Sequence, residues 1–232
     1  MTRKLFELVG TDAGRPFSPY CWRTRMALVH KGLNCKTIPW RFTEKGAIAP
    51  YGSEKVPVLL DGETSVADSW AIANYLEDTY PERPSLFGGE GGRANARFLN
   101  SWGDLVIIAG IFPMIVADIP QHLALADRDY FRRTREARFN DKPLEQISAD
   151  RDEKVVGFRR SLDPLRLMLR TQPFIGGAAP NYGDYIVFGG FQWARGVSPF
   201  KLLMQDDPVY AWRERMLDAL GGIARASPGF AV

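Results

Sequence analysis

The sequence predicts a small α/β domain of order β-α-β then β-β-α, followed by an all-helical domain. Two observations predict this. Strand-like alternation and hairpin signals belong to the first 80 residues, whereas apolar residues at helical spacing run through the rest. A Pro/Gly-rich stretch separates the two patterns. The predicted bounds are 1–80 for the α/β domain, 81–92 for the linker and 93–232 for the helical domain.

The first half of the α/β domain reads as strand, loop and helix. Residues 4–9 alternate loosely and precede a Gly/Asp/Pro loop, which is typical of a short strand. Ser18-Pro19 is a helix start, with serine as the N-cap and proline at the first helical position. Lys31-Gly32 ends that helix, and residues 35–40 form the second predicted strand.

The second half reads as a hairpin followed by a helix. Residues 56–60 and 64–67 are predicted strands joined by the Asp61-Gly62 turn. From Ser69 the apolar positions repeat at helical spacing, and Pro81 closes the segment.

Beyond the linker, strand signals fade. Five segments carry helical spacing and predict a helical bundle: 93–119, 128–140, 152–171, 184–196 and 206–220.

Composition limits the possible functions. Thirty Lys and Arg oppose 27 Asp and Glu, a formal charge of +3 that is too small to indicate a nucleic-acid partner or an anionic membrane surface. Two cysteines and two histidines predict neither a structural zinc site nor a disulfide framework. We therefore expect a soluble, cytoplasmic protein without a metal.

No membrane or export segment is expected. Glu7 interrupts the N-terminal apolar stretch, which argues against a signal peptide. The most apolar run, residues 105–119, is broken by Gly110, Pro113 and Asp118 and falls short of the ~20 residues that a bilayer requires. This run is expected to be a buried helix.

Ser18 is the first candidate functional residue. A capping serine accepts a backbone N–H, which leaves its own proton free for an anion at the positive end of the helix. Because Ser-Pro caps are common, the position alone favours a purely structural role.

Two further features suggest a ligand site. Val56-Pro57-Val58 places a proline where a strand begins, and a cis peptide there would expose the Val56 backbone to an extended ligand that pairs as an added strand. Asp68-Ser69 opens the next helix. The Ser69 hydroxyl and the first free N–H groups would then form a second anion site, with Asp68 available to an ammonium. Together these features predict a site for a small zwitterionic peptide.

The chain resembles the cytosolic glutathione transferases. Residues 18–23, Ser-Pro-Tyr-Cys-Trp-Arg, match the Ser-Pro-x-x-x-Arg form of that family's active-site loop, and Asn181-Tyr182-Gly183-Asp184 resembles its C-terminal capping motif. The resemblance implies a thioredoxin-like N-terminal domain, a helical C-terminal domain, glutathione as cosubstrate and a homodimer. It assigns thiol activation to Ser18. Glutathione binding is assigned to Tyr20, Lys55, Val56, Pro57, Asp68 and Ser69.

Several stretches are similar to the bacterial lignin β-etherases and fungal etherase-like transferases: 18–24, 53–58, 129–136, 144–145 and 180–185. The zeta class, whose loop shares Trp22-Arg23, is a rival, although Pro19 and Tyr20 depart from it. The expected reaction is attack of the glutathione thiolate on a small aromatic or apolar electrophile, including a β-aryl ether. The alternatives are a non-catalytic binding protein of the same fold and a zeta-like isomerase.

Other residues carry weaker signals. Cys21 occupies the second position of a redox motif whose first cysteine is absent, so we interpret it as a small buried hydrophobe. Tyr20 could place a second hydroxyl near the glutathione sulfur or pack against the helical domain, and the sequence favours neither role. His30 and His122 lie in no motif, and the five arginines of residues 128–138 are interpreted as a solvated helix face. Six apolar residues could line the electrophile pocket or belong to the core: Phe17, Trp40, Trp102, Ile107, Phe112 and Trp193.

Overall fold

The computed structural model describes residues 3–232. Met1 and Thr2, part of the segment assessed for a signal peptide, lie outside the described residues. Residues 3–80 contain four strands and two α-helices: β1 (Arg3–Leu8), α1 (Pro19–His30), β2 (Cys35–Trp40), β3 (Val58–Asp61), β4 (Thr64–Ala67) and α2 (Ser69–Thr79).

The four strands form one mixed sheet of order β2-β1-β3-β4. β1 pairs in parallel with β2 and antiparallel with β3, and β4 returns beside β3 as a hairpin. The predicted β-α-β and β-β-α order is therefore confirmed. The predicted third strand began at residue 56, but ladder pairing begins at Val58, since a proline nitrogen has no N–H to donate.

Helices form the rest of the chain: α3 (Glu90–Trp102), α4 (Ala109–Ile115), α5 (Leu125–Glu136), α6 (Leu144–Ile147), α7 (Arg151–Ser161), α8 (Asp163–Leu169), α9 (Tyr182–Val197) and α10 (Pro208–Ala226). This confirms the thioredoxin-like α/β domain followed by a helical domain. α3 begins at Glu90, inside the predicted linker, so the exact bounds 1–80, 81–92 and 93–232 remain predictions.

Two predicted helices are interrupted. The segment 152–171 divides at Leu162, where α7 ends and α8 begins with Pro164 in its first turn. Pro164 lacks the N–H that would continue the helical ladder. The last predicted helix continues past residue 220, but non-helical backbone at residues 219–222 puts a kink in α10.

The predicted segment 93–119 is one helical run with a widened turn. Residues Gly103–Ile108 form a π turn between α3 and α4, and π turns are frequent at functional sites. The expectation for residues 105–119 is only partly met. The run Glu90–Asp118 is long and apolar enough to cross a bilayer by length and composition, a test that core helices also pass. Ile107 and Ile111 are fully buried, whereas Leu105 is 76% exposed.

The interface between the two domains is formed chiefly by α1 and α9. Gly189 allows this close approach, because a Cβ atom there would lie 2.5 Å from the carbonyl oxygen of Pro19. Arg23 crosses the interface fully buried. Its guanidinium donates to Asp104 Oδ1 at 2.8 Å and to the Ile186 carbonyl at 3.3 Å. The first turn of α1 is thus fixed against the helical domain.

The predicted capping motif at residues 181–184 forms a capping box. Asn181 Oδ1 accepts the Gly183 N–H at 2.8 Å, and Asp184 Oδ2 accepts the Asn181 N–H at 3.0 Å. Asp184 also accepts from the Trp212 indole at 2.9 Å and from the backbone N–H of Ile175 at 2.8 Å. Its buried carboxylate therefore ties α9 to α10 and to the loop before α9.

Candidate active site

A cavity of about 320 Å³ opens at the N-terminal end of α1, between the two domains. Aromatic and aliphatic side chains form most of its wall, and a few charged groups lie at its margin. Larger depressions elsewhere, of about 670 and 890 Å³, contain none of the predicted site residues. The cavity is lined by Leu8, Phe17, Ser18, Pro19, Tyr20, Trp40, Phe42, Glu54, Lys55, Val56, Ile108, Phe112, Ile119, Tyr130, Phe131, Arg135, Arg138 and Trp193.

Ser18 is the N-cap of α1, as the sequence predicts. Its backbone is extended and its Oγ accepts the Cys21 N–H at 3.2 Å, while Pro19 occupies the first helical position. The Ser18 oxygen is the acceptor in this bond, so its proton remains available to another group. A buried hydroxyl at the positive end of a helix is thereby placed on the wall of the cavity.

Tyr20 lies on the cavity wall beside Arg23, and this position does not decide between the two interpretations that the sequence left open. It lines the cavity, and its ring lies 4.8 Å from the guanidinium carbon of Arg23, which anchors α1 to the helical domain. Burial raises the pKa of the Tyr20 phenol, and the negative charge of Asp104 adds to this effect. Tyr20 is therefore a neutral hydroxyl at physiological pH.

Cys21 is not placed for thiol chemistry. It is buried, as predicted, and burial raises the pKa of its thiol to about 12. Since the thiolate is the reactive form, Cys21 is inert at neutral pH.

Val56 and Pro57 are joined by a cis peptide bond immediately before β3. Lys55 and Val56 line the cavity, whereas Pro57 does not. Pro57 instead accepts the Asp68 N–H at 3.2 Å, which places the start of α2 beside this turn. Among the described residues, none forms a hydrogen bond with the N–H or C=O of Val56.

Asp68 is the N-cap of α2 and has a left-handed backbone, with φ of 78°. Its Oδ1 accepts the N–H groups of Trp70 and Ala71 at 2.9 and 3.0 Å. This corrects the expectation of several free N–H groups at this helix start, because the carboxylate of Asp68 already occupies two of them. Ser69 is buried, and neither Asp68 nor Ser69 lines the cavity itself.

The aromatic candidates divide between pocket and core. Phe17, Trp40, Phe112 and Trp193 line the cavity, whereas Trp102 and Ile107 do not. Sequence reasoning missed six other apolar lining residues: Leu8, Phe42, Ile108, Ile119, Tyr130 and Phe131. Phe42 follows β2 in a loop, where no periodicity could have indicated it.

The interpretation of residues 128–138 as a solvated helix face is wrong at Arg135, and Asp127, just before this stretch, is also buried. Arg135 and Arg138 line the cavity, and Arg135 is half-buried. Asp127 is fully buried and accepts the N–H and hydroxyl of Thr43 at 2.9 and 2.7 Å. This side of α5 packs on the α/β domain, a tertiary contact that charge alternation along the sequence does not reveal.

The two histidines lie outside the cavity. His30 Nε2 is 3.0 Å from the Ser85 carbonyl and its Nδ1 is 2.6 Å from the Tyr185 hydroxyl. His122 Nε2 is 2.9 Å from the Val197 carbonyl. In residues 3–232, no group of three or more His, Cys, Asp or Glu side chains is arranged to hold a metal ion.

Two family models match the chain. The glutathione S-transferase C-terminal domain matches residues 94–211, and the glutathione S-transferase N-terminal domain matches residues 13–84. The chain is 36% identical over 98 residues to glutathione S-transferase Z2 of Arabidopsis thaliana, and 44% identical over 72 residues to a zeta-class glutathione S-transferase of Euphorbia esula. These matches cover 39% and 28% of this chain. They span 41% and 31% of the relatives, less than half of either length.

Solved structures show the same fold over nearly the whole chain. A glutathione S-transferase of Ceriporiopsis subvermispora, crystallised in complex with glutathione, superposes with a TM-score of 0.85 at 22% identity. The superposition covers 95% of this chain and 98% of the other. Because the family models account for both domains around the cavity, the chain belongs to the glutathione S-transferase family.

Proposed function

We propose that this chain is a glutathione transferase with a serine-type active site. In this proposal Ser18 and the N-terminus of α1 hold glutathione as its thiolate, which attacks a small aromatic or apolar electrophile. The observation that carries the proposal is the Ser18 hydroxyl, whose proton is free at a helix N-terminus on the wall of an aromatic cavity. Family membership supports glutathione as the thiol.

Glutathione is proposed to bind along the turn before β3 and the start of α2. The N–H and C=O of Val56 lack partners among the described residues and can pair with the cysteinyl backbone of an extended tripeptide. Asp68 has its Oδ2 free of hydrogen bonds from the described residues, which leaves it available to the γ-glutamyl ammonium. The Ser69 hydroxyl and Lys55 supply donors to carboxylates. Pro57 and Tyr20 complete the site.

The proposed reaction is a nucleophilic displacement. A free thiol of this type has a pKa of about 8.5 and is only a few per cent ionised at neutral pH. Donation from Ser18 and the positive helix end favour the thiolate, and its proton passes to water. The sulfur then forms a bond to an electrophilic carbon, while the bond to the leaving group breaks with its electron pair. A phenolate leaves if the acceptor is a β-aryl ether.

Two acceptor chemistries are candidates for this cavity. β-Ether cleavage follows from the similarity of residues 18–24, 53–58 and 129–136 to the etherase-like transferases. A zeta-like isomerisation is the second candidate, because the matched relatives include zeta-class transferases. Ether cleavage consumes glutathione as a thioether, whereas isomerisation of maleylacetoacetate regenerates it. A panel of β-aryl ethers, halogenated aromatics and maleylacetoacetate, with product analysis, separates the two.

The decisive experiment uses Ser18→Ala and Ser18→Gly. Alanine removes both hydroxyl and cap, whereas glycine removes the hydroxyl but costs only a few tenths of a kcal/mol at an N-cap. Both variants are expected to raise the pKa of bound glutathione, measured by thiolate absorbance, and to lower kcat/KM by roughly 10- to 100-fold near pH 6.5. Ser101→Ala, at an exposed position on α3, is the matched control.

The outcomes distinguish the possible roles. Unchanged thiolate formation and turnover in Ser18→Gly would leave Ser18 as a cap only. Calorimetric binding of glutathione without turnover of any acceptor would favour the non-catalytic alternative. No binding at all would contradict both.

We further propose a cytoplasmic homodimer. Cys21 and Cys35 are both free thiols, which fits a reducing compartment. Phe98 on α3 and Leu105 in the π turn that follows it are 70% and 76% exposed. Apolar exposure of this kind is typical of subunit contacts. Sedimentation of the wild type and of Phe98→Glu tests the pairing, and a wild-type monomer would refute it.

A further inference from the structure

Arg135 places an unneutralised guanidinium on the wall of the cavity. Its central carbon lies 4.8 Å from the ring centre of Phe131 and 5.1 Å from that of Phe42. Among the described residues, no carboxylate lies within ion-pair distance of Arg135, and its hydrogen-bond partner is the Thr134 hydroxyl at 2.9 Å. A cation in this setting is held by aromatic faces and one neutral oxygen.

The contrast with a neighbouring arginine is informative. Arg132, one turn earlier on α5, pairs with both Glu136 and Glu145. Burial lowers the pKa of Arg135 to about 10, and the positive charge of Arg138 acts in the same direction. Buried charges are normally paired, because desolvating them is costly. Since no carboxylate among residues 3–232 pairs with Arg135, its charge is available to an anion that enters the cavity.

The other charges around the cavity do not neutralise Arg135. Its margin carries Arg135, Arg138 and Lys55 as cations and Glu54 as the one carboxylate among the lining residues. Glu54 pairs with Lys45 at 3.3 Å. An anion entering the cavity thus meets net positive charge beside aromatic rings.

We propose that the acceptor of this transferase is an aromatic carboxylate, and that Arg135 is the residue that recognises its anionic group. A guanidinium presents parallel N–H donors that match a carboxylate in a bidentate fork. The rings of Phe42, Tyr130 and Phe131 supply an apolar wall for the aryl group. Arg138 strengthens the positive field. The inference rests on the proposed glutathione transferase function and names its substrate class.

The test compares two electrophiles that differ in charge at one position, 4-(bromomethyl)benzoate and 4-(bromomethyl)benzamide. In each, the glutathione thiolate forms a C–S bond to the benzylic carbon, bromide leaves with the electron pair, and the thiol proton goes to water. After subtraction of the uncatalysed rate, the wild type is expected to prefer the carboxylate by roughly 10- to 100-fold in kcat/KM, as for one charge-assisted hydrogen-bond pair.

Arg135→Met removes the charge and keeps an unbranched side chain. The carboxylate-to-amide ratio of kcat/KM is expected to fall to about unity. Arg133→Met is the matched control, since Arg133 lies on the exposed side of the same helix. A second readout is calorimetric binding of unreactive 4-methylbenzoate to the glutathione-loaded protein. This binding is expected to be lost in Arg135→Met and kept in Arg133→Met.

Each outcome decides one of the two proposals. If neither electrophile is turned over but 4-methylbenzoate binding depends on Arg135, the transferase proposal fails and the recognition site stands. If Arg135→Met raises the KM for glutathione and leaves the carboxylate preference unchanged, the arginine serves glutathione and the inference is overturned. Equal effects of Arg133→Met and Arg135→Met would also overturn it, because overall charge would then explain the preference.

Discussion

Gly189→Ala tests whether close contact of α9 with the first turn of α1 sets the active-site geometry. A Cβ atom at residue 189 would lie 2.5 Å from the Pro19 carbonyl oxygen and 3.3 Å from the Pro19 carbonyl carbon. Backbone atoms cannot rotate away as a side chain does. The two helices must therefore separate by about 1 Å to restore a van der Waals contact.

The magnitude follows from two opposing effects. Overpacking of this kind costs about 1–3 kcal/mol, and replacing a mid-helix glycine by alanine returns about 0.5–1 kcal/mol. Gly157→Ala is the matched control, because a Cβ atom there has no neighbour within 4 Å. Gly157→Ala should stabilise by about 0.5–1 kcal/mol, whereas Gly189→Ala should destabilise by about 0.5–2 kcal/mol.

The assay is urea unfolding of both variants, together with kcat/KM for glutathione conjugation. Because Ser18 precedes Pro19, a displacement of about 1 Å at this turn is expected to lower kcat/KM by up to roughly 100-fold. Gly157→Ala should retain wild-type kinetics. If Gly189→Ala were as stable and as active as Gly157→Ala, the contact would not set the position of Ser18, and the reasoning would be refuted.

Three further predictions concern the interface and the helix starts. Burial lowers the pKa of His30 below 6.5, so the unfolded chain binds more protons at this residue than the folded chain does. The free energy of unfolding should therefore fall as the pH drops through 6.5. Urea unfolding of His30→Gln should show a shallower pH dependence than that of the wild type. A slope identical to that of the wild type would contradict this. Asp184→Ala leaves four N–H donors unpaired, including the Trp212 indole, and should cost about 3–5 kcal/mol in urea unfolding, whereas Trp212→Phe should cost less. Arg23→Met should destabilise the protein more than Asp104→Asn, because Arg23 is fully buried whereas Asp104 is partly hydrated. Thermal unfolding compares the two variants, and an equal loss of stability in both would contradict this ranking.

Local signals predicted much of the fold because they depend on near neighbours. The strands at residues 35–40 and 64–67 have the predicted bounds, and Ser18 caps α1 as expected. Errors arose where a long-range contact or a backbone change decides the outcome. Periodicity alone missed the division of the helix 152–171 at Leu162, although Pro164 is a local signal for that break. No sequence signal indicated the π turn at Gly103–Ile108.

The same distinction holds for the residues of the candidate site: local signals predicted some of them, and long-range packing places the others. Ser18 and Val56-Pro57 were found because capping and proline chemistry are local. Arg135 was missed because the alternating charges of residues 128–138 are typical of a solvated helix face. Only the packing of α5 places Arg135 at the cavity. Asp127 was missed for the same reason, since its partner Thr43 is 84 residues away in the chain.

The π turn at Gly103–Ile108 gives the acceptor wall an unusual dependence on chain length. It accommodates one more residue than an α-helical turn, and both Ile108 and Phe112, which line the cavity, come at its end or after it. Deleting one residue inside the π turn would return it to α-helical geometry and keep Ile108 and Phe112 on the cavity side. Deleting one residue from the regular part of α3 would instead rotate everything downstream by about 100° about the helix axis, and both side chains would then face away from the cavity. The position of a deletion, as well as any substitution, therefore decides whether the cavity wall keeps its shape.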